Sequence, residues 1–154
     1  MSESIALVAA ITALLAVVLG PLVSLAVAQK QARVAVLSNN RQAWINSLRD
    51  NISEFYAAIT YVHITDWKEH PAKELNDKVE RVLYLEWKIK LMLNPVEADH
   101  QKLIELLIAG RRTVSGARKG KAESGEAWMK ATEALLPLAH EVLKREWVRV
   151  KKMQ

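Results

Sequence analysis

Residues 45–62 read INSLRDNISEFYAAITYV, and within them Ile45, Leu48, Ile52, Phe55, Ile59 and Val62 recur at steps of three, four, three, four and three. That spacing keeps six apolar side chains on one face of a helix of 3.6 residues per turn, whereas a half-buried strand needs strict alternation. The stripe predicts an amphipathic helix that must bury its face against other helices, because no strand-like alternation elsewhere in the chain offers a sheet. The three-four step is also that of a coiled-coil seam.

On the amino-terminal side, no Gly or Pro occurs between Pro21 and Pro71. Two outcomes are open here. The helix either continues back through residues 29–40, or breaks at Ser38-Asn39-Asn40, where Asn39 is a competent cap with Gln42 three residues on. Further back, residues 5–28 (IALVAAITALLAVVLGPLVSLAVA) hold no charge, and their only hydroxyls are Thr12 and Ser24. As a helix, such a run extends about 36 Å, enough for a hydrocarbon core of about 30 Å with some tilt. A cleaved signal peptide is the rival, since Ala26-Val27-Ala28 resembles a cleavage site. However, Met1-Ser2-Glu3-Ser4 lacks the basic start of a signal, and the apolar run is longer than a usual signal core. The expectation is a single transmembrane anchor.

All 22 Lys and Arg residues follow residue 28, beginning with Lys30, Arg33 and Arg41, whereas the amino-terminal flank carries Glu3. The positive-inside bias predicts an amino terminus outside and the rest of the chain in the cytoplasm. Cysteine is absent, so no disulfide framework or thiolate metal site exists. Within the anchor, Ala9, Ala13, Ala16, Gly20 and Ser24 form a small-residue stripe of the kind that lets membrane helices approach closely. It predicts self-association, and Gly20-Pro21 predicts a bend. Without an ionisable group in the span, an ion-coupled transporter or charged pore has no support.

On the carboxyl side, a turn is expected near residues 66–71, then a helix over residues 72–93 carrying Leu75, Val79, Val82, Ile89 and Leu93 on one side. Asn94-Pro95-Val96-Glu97 predicts the start of a third helix: Asn94 as cap, Pro95 in the first turn, and Glu97 reaching back to close a capping box. Glu97 and Asp99 would face the positive end of the helix dipole. Leu103, Leu107 and Val114 supply that helix's buried stripe, widened by Ile104 and Ile108. Residues 116–125 (GARKGKAESG) contain three glycines and three basic residues and predict a flexible loop. A fourth helix is expected from Glu126, with Trp128, Ala131, Leu135, Leu138 and Val142 inward and a kink at Pro137.

The fold expected is all-α: a transmembrane helix over residues 1–28, a juxtamembrane helix or hinge over 29–40, and a cytoplasmic up-down-up-down four-helix bundle over 41–154. In that topology the carboxyl end returns towards the bilayer. Lys144, Arg145, Arg149, Lys151 and Lys152, with Lys30 and Arg33, are then candidates for contact with lipid headgroups or another anion. The competing reading is a solvated helix end whose cations suit the dipole.

Few constellations point to chemistry. Glu97 and His100 have the Glu-x-x-His spacing of a di-metal bundle, but His63, His70 and His140 follow Thr60, Trp67 and Pro137, so a second motif is missing. His63, Asp66 and His70 have zinc-compatible spacing but sit by Pro71 at an expected helix end. Gly116-x-x-x-Gly120-Lys121 has the wrong spacing for a phosphate loop. No metal, cofactor or enzymatic activity is expected. With Glu3 set aside, 22 basic residues face 16 acidic ones, a net of +6, and Arg111, Arg112, Arg118, Lys119 and Lys121 cluster. Nucleic acid could use that charge, but so could lipid or an acidic partner, and nucleic acid is the less favoured.

Residues 40–50 (NRQAWINSLRD), with Ile52, Glu54 and Phe55, and residues 88–100 (KIKLMLNPVEADH) resemble a bacterial family of small proteins of unknown function with one amino-terminal transmembrane segment. The resemblance covers roughly residues 38–107. It implies a bacterial inner-membrane protein, and an effector or scaffold at home among stress or phage-defence genes. Trp44 and Arg49 read as packing and pairing residues. Asn94, Pro95, Glu97, Asp99 and His100 form a structural corner, or else a contact site for a partner. Three functions are carried forward: a self-associating scaffold that recruits a protein partner, a membrane-perturbing effector whose anchors assemble into a pore, and an anchored nucleic-acid binder.

Overall fold

A computed structural model describes residues 2–68, 70–117 and 122–152. Among these residues the structure is all-α, with four helices: α1 (Ser2–Ile64), α2 (Ala72–Met92), α3 (Ala98–Ala117) and α4 (Ala122–Lys151). No break occurs at Ser38-Asn39-Asn40, where α1 runs on as helix. Asn side chains can remain mid-helix when their polar tips reach solvent, and Asn39 and Asn40 are exposed, whereas Ser38 is buried.

The chain divides into two compact units between Asn40 and Arg41. In the first, the apolar side chains of α1 stand exposed along the helix, as at Leu14 (70%) and Val17 (73%). Among the described residues, α1 is the one helix long and apolar enough to cross a membrane, with mean hydropathy 2.4 in its most apolar window.

The second unit is a bundle of the carboxyl-terminal part of α1 with α2, α3 and α4. Ile45, Leu48, Ile52, Phe55, Ile59 and Val62 are all buried in its core, as their spacing predicts. Val82, Leu85 and Ile89 of α2, Leu103 and Leu107 of α3, and Leu135 and Val142 of α4 close the core. Burying such a side chain contributes about 1.5–3 kcal/mol, so the stripes of the four helices together hold the bundle.

Contacts between helices fix their directions. Trp44 Nε1 donates to Met92 O at 3.0 Å at one end of α1, and Tyr61 Oη donates to Glu74 Oε1 at 2.8 Å at the other, so α1 and α2 are antiparallel. Trp44 lies by His100 and His63 by Thr113, which makes α3 parallel to α1. Arg41 pairs with Glu146 while His63 stacks on Trp128, which makes α4 antiparallel to α1. The topology is up-down-up-down.

Local chemistry ends each helix. Trp67 Nε1 donates to the Val62 carbonyl at 2.8 Å, satisfying an acceptor that the last turn of α1 leaves open, and Thr65 Oγ1 adds a second bond to the Tyr61 carbonyl at 2.7 Å. Leu93 turns extended (φ −91°, ψ 144°), and Asn94, preceding Pro95, disfavours helical backbone, so α2 stops there.

Two expected boundaries are corrected. Helix α3 starts at Ala98 rather than at Pro95, because residues 94–97 form a β-turn in which Glu97 N–H donates to Asn94 O at 3.2 Å. Pro95 takes the second position of that turn, for which its fixed φ suits it equally well. Helix α4 starts at Ala122 rather than Glu126, and α3 reaches Ala117, so most of the loop expected over 116–125 is helical. Ala, Glu and Ser tolerate helix, and Gly125 inside it costs only about 1 kcal/mol. Arg118, Lys119 and Lys121 lie outside the described residues. Pro137 sits inside α4 on the exposed side, where water can take up the carbonyl freed four residues earlier.

Candidate functional site: a charge-balanced corner

The turn at residues 94–97 is organised by three short-range bonds. Asn94 Oδ1 accepts from Val96 N–H at 3.1 Å, Gln101 Nε2 donates to Pro95 O at 2.6 Å, and Gln101 N–H donates to Glu97 O at 3.0 Å to open α3. The capping box expected between Glu97 and Asn94 does not form in its usual sense. Asn94 N–H instead donates to His100 Nδ1 at 3.0 Å, and Glu97 receives only the Asn94 side-chain amide at 3.4 Å. The Glu97 carboxylate is drawn elsewhere, because cations offer it a charge-assisted bond.

Those cations come from α4. Arg145 reaches Glu97 Oε2 at 2.6 Å, bonds Asp99 Oδ2, and lies 3.5 Å from Glu146 Oε1. Arg149 holds Glu146 at 2.5 Å and lies 3.6 Å from Glu97. Arg41 of α1 approaches Glu146 Oε2 at 3.5 Å. Three carboxylates thus meet three guanidinium groups, and the cluster is neutral. Burial pushes the Glu97 carboxyl up, but Arg145, His100 and Arg149, with the Asn94 amide, outweigh it and hold the group below its ordinary value. A shallow cleft of ≈ 260 Å³ opens here, lined by Arg41, Trp44, Met92, Asn94, Glu97, His100, Glu146 and Arg149.

Oxygen and nitrogen atoms of Glu97, His100 and Glu146 lie within 4.8 Å of one another, close enough to test as metal ligands. The donor set fits a cation poorly. His100 Nδ1 faces the Asn94 N–H and Nε2 faces the Arg145 guanidinium, so donors already occupy the approach to both ring nitrogens. A ligating histidine ordinarily donates through its other nitrogen, which Asn94 prevents here. The Arg145 guanidinium also lies 3.1 Å from Nε2 and already neutralises the carboxylates. The corner is chemically a clamp that joins the start of α3 to the end of α4.

Arg145 and Arg149, read from sequence as candidates for lipid or anion contact, are therefore engaged inside the bundle, whereas Lys144, Lys151 and Lys152 are exposed. Lys151 Nζ lies 3.5 Å from the centre of the Trp147 ring. Lys30 and Arg33 are exposed on α1 and line a shallow groove with Ala26, Gln29, Val34 and Leu37. Ala9, Ala13, Ala16, Gly20 and Ser24 are exposed along the same helix, and a side chain built at Gly20 meets nothing within 4 Å. Among the described residues Arg49 makes a local bond, 3.4 Å to Asn46 Oδ1.

The histidines near Pro71 do not converge. His63 Nε2 pairs with Thr113 Oγ1 at 2.8 Å, Asp66 accepts from Lys68 N–H at 3.1 Å, and His70 lies 3.4 Å from Glu74. Sequence reasoning missed Glu86, which is buried on α2 with Arg111 at 2.6 Å and Lys90 at 3.4 Å. Its position among Val82, Leu85 and Ile89, a carboxylate within an apolar face, was the available signal. It also missed Arg41 and Glu146, which become legible only once α1 and α4 are brought together.

Comparison with protein-family models, with curated proteins and with solved structures finds no match.

Proposed function

We propose that this chain is a single-pass membrane protein whose cytoplasmic four-helix domain serves as a self-associating scaffold for a protein partner. The observation that carries the reading is the uncharged run of residues 5–28, whose apolar side chains stand exposed among the described residues. Exposing that surface to water is costly at about 25 cal/mol per Å², so hydrocarbon is its natural solvent. The basic excess after residue 28 favours the domain on the cytoplasmic side of a bacterial inner membrane. The corner supports a scaffold over an enzyme: its carboxylates and guanidinium groups neutralise one another and leave no activated nucleophile or base.

Alkaline extraction of membranes tests the anchor, with the chain expected in the pellet; release into the supernatant sinks the reading. Mass measurement of the detergent-solubilised chain tests association, beside Gly20→Leu and Ala13→Leu. A monomeric wild type removes self-association, and unchanged oligomers in both variants relocate it to the bundle. Depolarisation of cells on induction would favour a pore over a scaffold.

A further inference from the structure

The last turns of α4 carry cations that the clamp does not use. Lys144, Trp147, Val148 and Lys151 recur at steps of three, one and three, which keeps them on one side of the helix, and Lys152 follows. All five are exposed, Trp147 at 44% and Val148 at 38%, and Lys151 Nζ lies 3.5 Å from the centre of the indole. Arg145 and Arg149 of the same turns are committed to Glu97, Asp99 and Glu146. Over residues 141–152 the one exposed carboxylate is Glu141, so three ammonium groups face a single acid. On neighbouring α3, exposed Lys102 and Glu105 cancel. The cation excess is therefore real, and it surrounds an exposed aromatic side chain.

We infer that this end of α4 docks on the anionic headgroups of the bilayer that holds the chain. The inference rests on the reading of residues 5–28 as a membrane anchor. Helix α4 is antiparallel to α1 and Arg41 pairs with Glu146, so the basic turns lie at the end of the bundle that α1 enters. Arg41 comes thirteen positions after Ala28, which is about 20 Å of helix and at most about 45 Å of extended chain. So short a tether keeps the α4 end at high effective concentration beside lipid, whichever way the bundle is turned. Side-chain type selects lipid over nucleic acid. Tryptophan favours the boundary between headgroups and acyl chains, and Val148 adds an apolar neighbour, whereas phosphates of nucleic acid need the cations alone. Lysine stems can lie along the indole while their ammonium groups extend to lipid phosphates. A second copy suits this end poorly, because a two-fold contact sets the cations against themselves.

The chain has no cysteine, so a single nitrobenzoxadiazole label can be placed at will. The full-length Val148→Cys variant is labelled and reconstituted in vesicles rich in phosphatidylglycerol or in phosphatidylcholine vesicles, both doped with a lipid spin-labelled on its headgroup. Labels at Val17→Cys and at exposed Asp77→Cys serve as references for hydrocarbon and water. Docking predicts that the headgroup spin label quenches position 148 in the anionic vesicles only, and that added salt relieves the quenching. Each cation near such a surface multiplies partitioning by about fivefold, so Lys151→Gln and Lys152→Gln should each lower the docked-to-free ratio by about that factor. An unchanged ratio in both variants, or equal quenching in the two kinds of vesicle, overturns a contact driven by charge. A label at 148 that stays in water in both, while that at 17 is in hydrocarbon, overturns the docking and leaves the anchor intact. A label at 17 in water overturns both. A label at 148 that responds to a duplex oligonucleotide but not to anionic vesicles assigns the cations to nucleic acid and overturns the docking.

Discussion

His100 Nδ1 accepts the backbone N–H of Asn94 at 3.0 Å, so a side chain of the first turn of α3 caps the chain leaving α2. The bond closes the corner across Pro95. Losing it removes the cap and, because the imidazole is buried beside Trp44, also leaves a cavity. His100→Ala is therefore expected to destabilise the bundle by more than the about 1–2 kcal/mol of a lost capping acceptor alone. Denaturant unfolding of the purified full-length chain, followed by circular dichroism, checks this. An unchanged midpoint would show that water replaces the imidazole at no cost.

Arg145 is the centre of the clamp, and removing it leaves Glu97, Asp99 and Glu146 facing one another with only Arg41 and Arg149 as cations. Its side chain is 34% exposed, so the cost should fall below that of a fully buried pair: about 1–3 kcal/mol for Arg145→Ala. Arg145→Lys keeps the charge but not the planar fork, and should lie between wild type and alanine. The sign with pH follows from Glu97. Its folded pKa is depressed, so its contribution is present above the ordinary value of 4.5 and is lost as pH falls through the folded value. In Arg145→Ala that depression is relieved. The stability curves of wild type and variant should therefore converge below pH 4.5, and parallel acid limbs would contradict this role for Glu97.

The bundle was legible because the apolar steps along α1, α2, α3 and α4 depend only on local period, and Ile45 through Val62 are buried as spaced. The corner was legible as a corner but not as the right one. Proline has the same φ in the first turn of a helix and in the second position of a β-turn, so Asn94-Pro95 alone does not distinguish them. What decides is the competition for Glu97, and its winner, Arg145, lies 48 positions further along the chain. Pairings at that separation leave no local period to read. The same reason hid the Arg41–Glu146 and Arg111–Glu86 pairs.

Gly110 lies where α3 packs against Ile59 and Phe55 of α1. A Cβ there would lie 3.3 Å from Ile59 Cδ1 and 3.8 Å from Phe55 Cε1, both in the buried core. Gly110→Ala gains about 1 kcal/mol of helix propensity but must displace the tip of a fully packed isoleucine, so the net change should be within about 1 kcal/mol of zero. Gly110→Leu adds a volume that the site cannot hold, and should destabilise by more than the alanine gain. Gly125→Ala, with open space around it, should stabilise by up to about 1 kcal/mol. Melting temperatures of the three variants order the effects; a stabilised Gly110→Leu would show that α1 and α3 are not closely packed at this point.

His63 links three helices of the bundle. Thr113 Oγ1 donates to Gly110 O at 2.6 Å, so its own proton is committed and His63 Nε2–H must be the donor across the 2.8 Å contact between them. The ring also stacks on Trp128 with centroids 5.1 Å apart. Burial lowers the imidazole below its ordinary value of 6.5, since the charged ring would lose its hydration among these neighbours. The unfolded chain therefore takes up the proton first. The stability that His63 contributes is complete above pH 6.5 and falls as pH drops through the window between 6.5 and the lower folded value. His63→Phe keeps the stack while removing the titration, so the difference between wild type and variant should slope within that window and level off on either side. Thr113→Val strands the Nε2–H and should cost about 1–3 kcal/mol at neutral pH. Imidazole proton shifts followed by NMR report the folded value directly; a His63 that titrates at 6.5 would remove this slope, and one that titrates above it would reverse its sign.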